Sequence, residues 1–404
     1  MAMNNDDRRV LQVTCYGHFL SHFNMLVFPA VVLPLKDHWQ ISMSEVLETS
    51  FWMYLLFGIT ALPWGLAADR WGAKRLMMLY YAGAGTGGLI SAFFLDSPLF
   101  FSISLALIGL FSGIYHPAGL GLISKTTRRM SYAMGINGMF GNLGLASAPL
   151  IAGLVNWIWG PQTLYMLLGL LNLSGVIVMM IHPLPAAKQQ EDKTKAPAAN
   201  SLSPFLILLV AMMLGGIAYR GATVVLPAYL ELKNQTIYQS LSSIGGTALS
   251  QNLLATLATS FIFLVGMVGQ YIGGRIAEKT DARFSYLWFH VITVPLAFVL
   301  AVTGDMMLIL VAVAYFFFLL GMQPIENTLV AQLTPRHLQH SAFGTKFVLT
   351  FGVGALAVKM AAIIERQISI EAVYPAMGLV SLLLVFTILL LIRQTRTEVR
   401  DSQQ

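Results

Sequence analysis

Apolar positions in this chain neither alternate nor keep to one side of a helical period; they run in blocks of about 17 to 28 residues, parted by short charged or turn-forming segments. Wound as a helix at about 1.5 Å per residue, a block of that length crosses a hydrocarbon core roughly 30 Å thick. Twelve such spans are predicted, at approximately 10–34, 46–67, 75–95, 99–123, 131–156, 161–182, 203–229, 250–272, 284–303, 306–332, 339–364 and 372–392. The one clearly polar, low-complexity interval is 183–202, where Pro, Ala, Lys and Gln replace bulky apolar residues. The pattern therefore predicts an all-α polytopic membrane protein of twelve transmembrane helices. An N-terminal six-helix bundle would occupy 1–182, a cytoplasmic linker 183–202 and a C-terminal six-helix bundle 203–404.

Composition agrees with that pattern. The 404 residues are 56% hydrophobic and only 10% charged, with a mean hydropathy of +0.71, which leaves too little charge to cover a water-exposed surface. The net charge of +6 would suggest nucleic acid only if the basic side chains shared a face, and they are dealt out among short loops instead. Eighteen of the 24 basic residues fall on the side of the termini, only Lys36, Lys233 and Arg366 on the other, and Arg220, Lys346 and Lys359 within spans. By the positive-inside rule both termini are expected in the cytoplasm. The single cysteine, Cys15, excludes an internal disulfide and a clustered thiolate metal site. The N-terminus, MAMNNDDRRV, is acidic and then basic with no small-residue cleavage site beyond it, and reads as the start of a retained first helix.

Two loop segments stand at equivalent places in the two halves: GLAADRWGAKR at 65–75 after the second span, and GGRIAEKTDAR at 273–283 after the eighth. The first resembles the loop signature of the major facilitator superfamily, G-x-x-x-D-R/K-x-G-R-R/K, at Gly65, Asp69, Arg70, Gly72, Lys74 and Arg75. The second keeps Gly273, Gly274 and Arg275 but carries Glu278, Lys279 and Asp281. Gly65 and Gly72 allow close approach or a tight turn, and Asp69 accepts from helix N-termini or guanidinium groups, so the loop is expected to act as a charged cytoplasmic gate. Within the superfamily the chain is similar to the subgroup of bacterial fosmidomycin resistance proteins. That similarity rests on GLFSGIYHPAGLGLISK at 109–125, YRGATVVLPAYL at 219–230, GMQPIENTLVAQLTP at 321–335 and AFGTKF at 342–347. It implies proton-driven drug export across a bacterial inner membrane by a chain that suffices as a monomer.

Charged side chains within a span are costly and ordinarily face a cavity or a partner. Glu326 and Lys346 lie at similar depth, about 10 Å from the cytoplasmic ends of their spans by helical rise. They are expected to form an interhelical ion pair that either only ties the two spans together or takes part in transport, Glu326 exchanging a proton and Lys346 meeting the substrate. Arg220, whose planar fork grips a carboxylate or phosphonate with two bonds, is the first choice for substrate contact. Lys359 either joins it or snorkels outward beside Glu365. In the first half His18 and His22 share one helical face and His116 precedes Pro117. His18 and His116 are expected to serve proton coupling, and His22, Tyr16, Asn137 and Asn142 to contact substrate. The alternative for each histidine is a neutral ring bonded to backbone or hydroxyl groups. A metal reading is set aside: His18 and His22 have ligand-compatible spacing, but no Asp or Glu lies in the middle of the first six spans.

These features imply a secondary active transporter whose two bundles rock about one central site. No cofactor is expected, because there is no G-x-x-x-x-G-K-[ST] segment or soluble nucleotide domain. No paired carboxylate, metal ligand set or activated serine suggests an enzyme either. The first functional expectation is proton-coupled efflux of a small organic anion or drug by antiport. The alternatives are proton-coupled uptake of an anionic metabolite, and a solute receptor that has lost transport. Small-molecule cargo, protons and the bilayer are the expected partners, with no nucleic acid.

Overall fold

The computed structural model describes residues 5–127, 130–182, 184, 203–245, 249–334 and 344–401, the side chains of 130, 131, 242–245 and 396–401 excepted. Sixteen principal helices follow in order: α1 (Asn5–Ala30), α2 (Val32–Trp39), α3 (Met43–Thr49), α4 (Phe51–Ile59), α5 (Ala61–Trp71), α6 (Ala73–Phe93), α7 (Pro98–Ser112) and α8 (Tyr115–Thr126). Then come α9 (Met130–Ile181), α10 (Ser203–Lys233), α11 (Gln235–Gly245), α12 (Gln251–Lys279), α13 (Ala282–Val302), α14 (Asp305–Leu333), α15 (Leu356–Gln367) and α16 (Val373–Asp401). A π-helical turn at Val348–Gly352 and a 3-10 turn at Val353–Ala355 precede α15.

The predicted twelve separate spans in two six-helix bundles are not what the structure contains. Among the described residues nine helices are long and apolar enough to cross a membrane, or up to eleven if each of two bent pairs is one span. Those pairs are α1 with α2, bent by 49°, and Met43–Ile59 with α5, bent by 47°. The predicted spans 131–156 and 161–182 lie within Met130–Ile181 as two helices that meet at a kink, where Gly160 takes φ 81° ahead of Pro161. Uniform hydrophobicity marks where chain is apolar but not where a helix bends, so block counting and helix counting diverge. The chain forms two compact units: one holds Met1–Lys193 with Leu249–Ser260, the other Thr194–Ala248 with Phe261–Gln404. Apart from Leu184, the predicted linker 183–202 lies outside the described residues.

In the first unit, α1 is held on several sides by bonds to its backbone. Pro29 has no N–H, so the carbonyl of Met25 loses its helical donor, and the Tyr54 hydroxyl donates to it at 2.8 Å. Tyr80 and Tyr81 donate to the carbonyls of Gly17 and Val13 at 3.0 and 2.9 Å. Deeper in the same helix Asn24 and Asn172 bond reciprocally at 3.0 and 2.8 Å, which ties α1 to the second limb of α9. The small residues of α9 divide into two groups. A Cβ on Gly144 would stand 2.1 Å from the Phe19 carbonyl, and one on Gly141 2.5 Å from His18 Nε2, whereas Gly135 and Gly138 have nothing within 4 Å. Close crossing of α9 with α1 therefore involves Gly141 and Gly144 and not Gly135 or Gly138, and farther along Gly153 abuts Thr256, where a Cβ would lie 1.8 Å from its hydroxyl oxygen.

The Leu249–Ser260 segment joins this unit through polar bonds. Asn252 donates to the Ala30 carbonyl at 2.8 Å and accepts from Asn156 at 3.2 Å, and Ser260 Oγ accepts from the Leu150 N–H at 2.8 Å. In the second unit a core of Leu208, Met212, Tyr286, Met322, Ile325, Leu329, Leu384 and Ile388 gathers α10, α13, α14 and α16. There Gly216 of α10 abuts the π turn so closely that a Cβ would lie 2.2 Å from the Thr350 carbonyl oxygen. Large apolar side chains left exposed, among them Phe93, Met180, Val302 and Leu383, face outward, as a lipid-immersed surface requires.

Candidate functional site

Among the described residues each unit brings predicted site residues together in a buried cluster. In the first, the i, i+4 spacing places His18 and His22 on one face of α1, and their Nε2 atoms lie 3.1 Å apart. His116, in the first turn of α8, completes the group, its ring 5.4 Å from that of His18 and 5.5 Å from that of His22. The His18 Nδ1 is 2.9 Å from the backbone oxygen of Asn137 and 2.8 Å from its side-chain oxygen. A carbonyl only accepts, so Nδ1 carries the hydrogen and Nε2 keeps its lone pair in the neutral ring. Tyr115 stacks on His18 with centroids 4.9 Å apart and donates its hydroxyl to the same Asn137 oxygen at 3.0 Å. The missing side chain of Gly141 leaves the room His18 occupies.

In the second unit, Lys346 Nζ lies 2.7 Å from Glu326 Oε1, with side-chain exposures of only 8% and 2%. Tyr286 donates to the other carboxylate oxygen at 3.1 Å, and Lys346 donates also to Asn327 Oδ1. The pair is therefore supported as a tolerated buried ion pair needs, with both carboxylate oxygens bonded and the ammonium bonded to a second acceptor. Lys346 immediately precedes Phe347 and the π turn. Non-helical backbone at membrane depth is found where it is packed in protein or lines a water-filled cavity, and π turns gather at functional positions. Arg220, 3% exposed, stands four residues beyond Gly216 and so on the face of α10 that meets this turn.

The other predicted site residues separate from these clusters. The Tyr16 hydroxyl bonds to Ser174 Oγ at 2.6 Å and to the Leu171 carbonyl at 2.9 Å, a helix-packing contact turned away from the histidines. Asn142 is half-buried, about 140° around α9 from Asn137. In the predicted gate Gly72 adopts φ 86°, which favours glycine, and forms the one-residue break between α5 and α6. Asp69 pairs with Lys125 at 2.8 Å, while Arg70, Lys74 and Arg75 are exposed. A Cβ on Gly65 would make ordinary contact with Pro117 at 3.5 Å. Tyr115, Asn327 and Tyr286 were not predicted. The first two adjoin His116 and Glu326 in sequence, which is a usable signal, whereas Tyr286 comes from a distant helix and left none.

A family model described as the Major Facilitator Superfamily matches residues 14–358. The chain belongs to this superfamily. It is 24% identical over 395 residues to the uncharacterised MFS-type transporter YfnC of Bacillus subtilis (strain 168), covering 91% of this chain and 90% of that one. Among solved structures it is similar to a bacterial homologue of the human lysosomal transporter Spinster, inward-facing and occupied, with a TM-score of 0.74, 13% identity and coverage of 97% and 98% of the two chains. It is similar also to a peptide transporter, POT, in complex with sulfate, with a TM-score of 0.73, 15% identity and coverage of 96% and 94%. At these identities the structural likeness shows the fold. The protein is thus a multi-pass superfamily transporter with a secondary active transport function, and its role is transport, not catalysis.

Proposed function

We propose that this transporter carries a small organic anion in a proton-coupled cycle, with Glu326 exchanging the proton and Lys346 and Arg220 engaging the anion. The observation that carries the reading is the buried Glu326–Lys346 pair beside a π turn. With Glu326 ionised, Lys346 is already neutralised; protonating the carboxylate releases the ammonium for an anion. Formal charges over Glu326, Lys346 and Arg220 then change from +1 to +2, so a proton raises anion affinity. The sulfate complex of the peptide transporter POT supports an anion in a carrier of this fold. His18, whose Nδ1 hydrogen Asn137 accepts, and the neighbouring His116 form a second place for a proton. Asp69 with Lys125 serves as part of the cytoplasmic gate, and the excess of basic residues in the loops on the side of the termini supports a reading with both termini in the cytoplasm.

Two directions follow from two observations. The charge count favours proton and anion moving together, which is uptake of an anionic metabolite. The resemblance of 109–125, 219–230, 321–335 and 342–347 to fosmidomycin resistance proteins favours export by antiport, and these segments contain His116, Arg220, Glu326 and Lys346. Export by antiport requires a drug that bonds to the ionised carboxylate and is displaced when Glu326 is protonated.

Reconstitution in liposomes with an internal pH-sensitive dye separates these readings. Phosphonates, carboxylates and cationic drugs are supplied outside with no initial pH gradient. Anion-driven proton entry, lost in Arg220→Ala, is the expected result; proton exit on drug entry supports antiport instead. Proton movement driven only by cations, or undiminished in Arg220→Ala, defeats the anion assignment.

A further inference from the structure

The geometry points to a divalent metal site at His18, His22 and His116, selective for a borderline cation such as Zn²⁺ and open at its fourth position to an anion. One ligand nitrogen from each of the three rings can be chosen so that all lie within 4.8 Å of one another. Two of them, the Nε2 atoms of His18 and His22, are 3.1 Å apart, close to the roughly 3.3 Å edge of a tetrahedron with metal–nitrogen bonds of about 2.0 Å. The third vertex falls to His116, whose nitrogen lies within 4.8 Å of the other two and would have to draw closer on binding.

The surroundings of His18 are those of a metal ligand. Its Nδ1 hydrogen is held by both Asn137 oxygens, which fixes the tautomer that leaves Nε2 as the donor atom and stops the ring from turning away. Tyr115 holds the ring plane from one side and is itself bonded to Asn137, so the orientation is set before any ion arrives. A cation placed between the two Nε2 atoms takes the position of the hydrogen they share. His22 then moves its own hydrogen to Nδ1, and no net proton is released.

Ligand chemistry and charge define what binds. Three neutral imidazoles suit zinc, copper, nickel or cobalt and not magnesium or calcium, which take oxygen donors. Among the described residues no carboxylate stands in the cluster, so a divalent ion would bring two uncompensated charges into a buried place. That lack of acid, which counts against a bare cation as cargo, requires the fourth ligand to be anionic: hydroxide, chloride or the carboxylate of an organic anion.

The test uses the full-length protein in detergent micelles, freed of any affinity tag and dialysed against chelator, with Co²⁺ as a visible-absorbing probe. One equivalent is expected to bind with the strong ligand-field bands of a tetrahedral site, to be displaced by Zn²⁺, and to shift its bands on addition of acetate. Asn137→Ala is expected to weaken Co²⁺ binding by about 10- to 100-fold. His22→Ala is expected to abolish the bands while keeping the melting profile of the metal-free wild type. If that variant does not stay monodisperse, His116→Gln carries the same comparison. Weak octahedral bands only, no binding, or tetrahedral bands that persist in a folded His22→Ala or His116→Gln protein would overturn the site. Binding is read without transport, so failure here leaves the proton-coupled reading standing.

Discussion

Replacing Glu326 by Gln removes one charge of the buried pair and nothing of its shape. Lys346 then keeps Asn327 but loses the carboxylate 2.7 Å away, at a site where only 8% of its side chain is exposed. Breaking a buried pair from one side costs about 3 to 5 kcal/mol, because the remaining charge is left without compensation. Asn327 still accepts from the ammonium, which places the expected loss near the lower end, about 3 kcal/mol. Removing both charges, as Glu326→Gln with Lys346→Met, leaves no orphan and is expected to restore most of the stability while abolishing proton coupling. The assay is a double-mutant cycle of unfolding in micelles, followed by tryptophan fluorescence, with proton flux in liposomes measured on the same four proteins. A Glu326→Gln protein as stable as wild type, or a double mutant no more stable than the single, would refute the reasoning that the pair is a buried charge balance.

Three further outcomes are expected. Gly144→Ala would push a Cβ to 2.1 Å from a backbone oxygen on α1 and should lower the melting temperature sharply, whereas Gly138→Ala, with open space around it, should be neutral or stabilising by up to about 1 kcal/mol. Asp69→Asn breaks a pair whose side chains are 68% and 56% exposed, so its unfolding free energy should change by less than about 1 kcal/mol; a slower transport rate at unchanged stability is the signature of a gate. Glu371, held by a hydrogen bond from Lys233, has its carboxyl lowered from 4.5 to about 2. A carboxyl depressed on folding stabilises fully above its unfolded value and loses that contribution as pH falls through the folded one. The stability advantage of wild type over Glu371→Gln should therefore be constant near neutrality and shrink between pH 4.5 and about 2, as acid unfolding curves of the two proteins would show.

Much of this architecture was legible because lipid imposes simple rules: long apolar blocks are helices, and a charge inside one of them needs a partner. Depth along the helix was enough to bring Glu326 to Lys346, and i, i+4 spacing to bring His18 to His22. Two kinds of feature were not legible. The breaks at Val31 and Thr60 turn on local backbone conformation within apolar sequence, so blocks did not become single helices there, whereas the break at Gly160 falls in the gap between the predicted spans 131–156 and 161–182. Bonding across helices was equally silent: Tyr16 shares a spectrum of neighbours with the histidines in sequence yet bonds to Ser174 on α9, while Tyr286, forty residues from Glu326, supplies the carboxylate's hydrogen bond. The π turn after Lys346 has no pattern in its residues, Val348–Gly352, that marks it in advance.

The most direct test of the central claim is the pH dependence of anion affinity in the purified protein. Sulfate or a small phosphonate is titrated by calorimetry at a series of pH values into wild type, Glu326→Gln and Lys346→Met. If Glu326 carries the proton that frees Lys346, wild-type affinity rises as pH falls, by up to about tenfold per unit for one linked proton. Glu326→Gln should bind with the low-pH affinity at every pH, and Lys346→Met should bind weakly throughout. A wild-type affinity independent of pH, or the same pH slope in Glu326→Gln, would contradict the account.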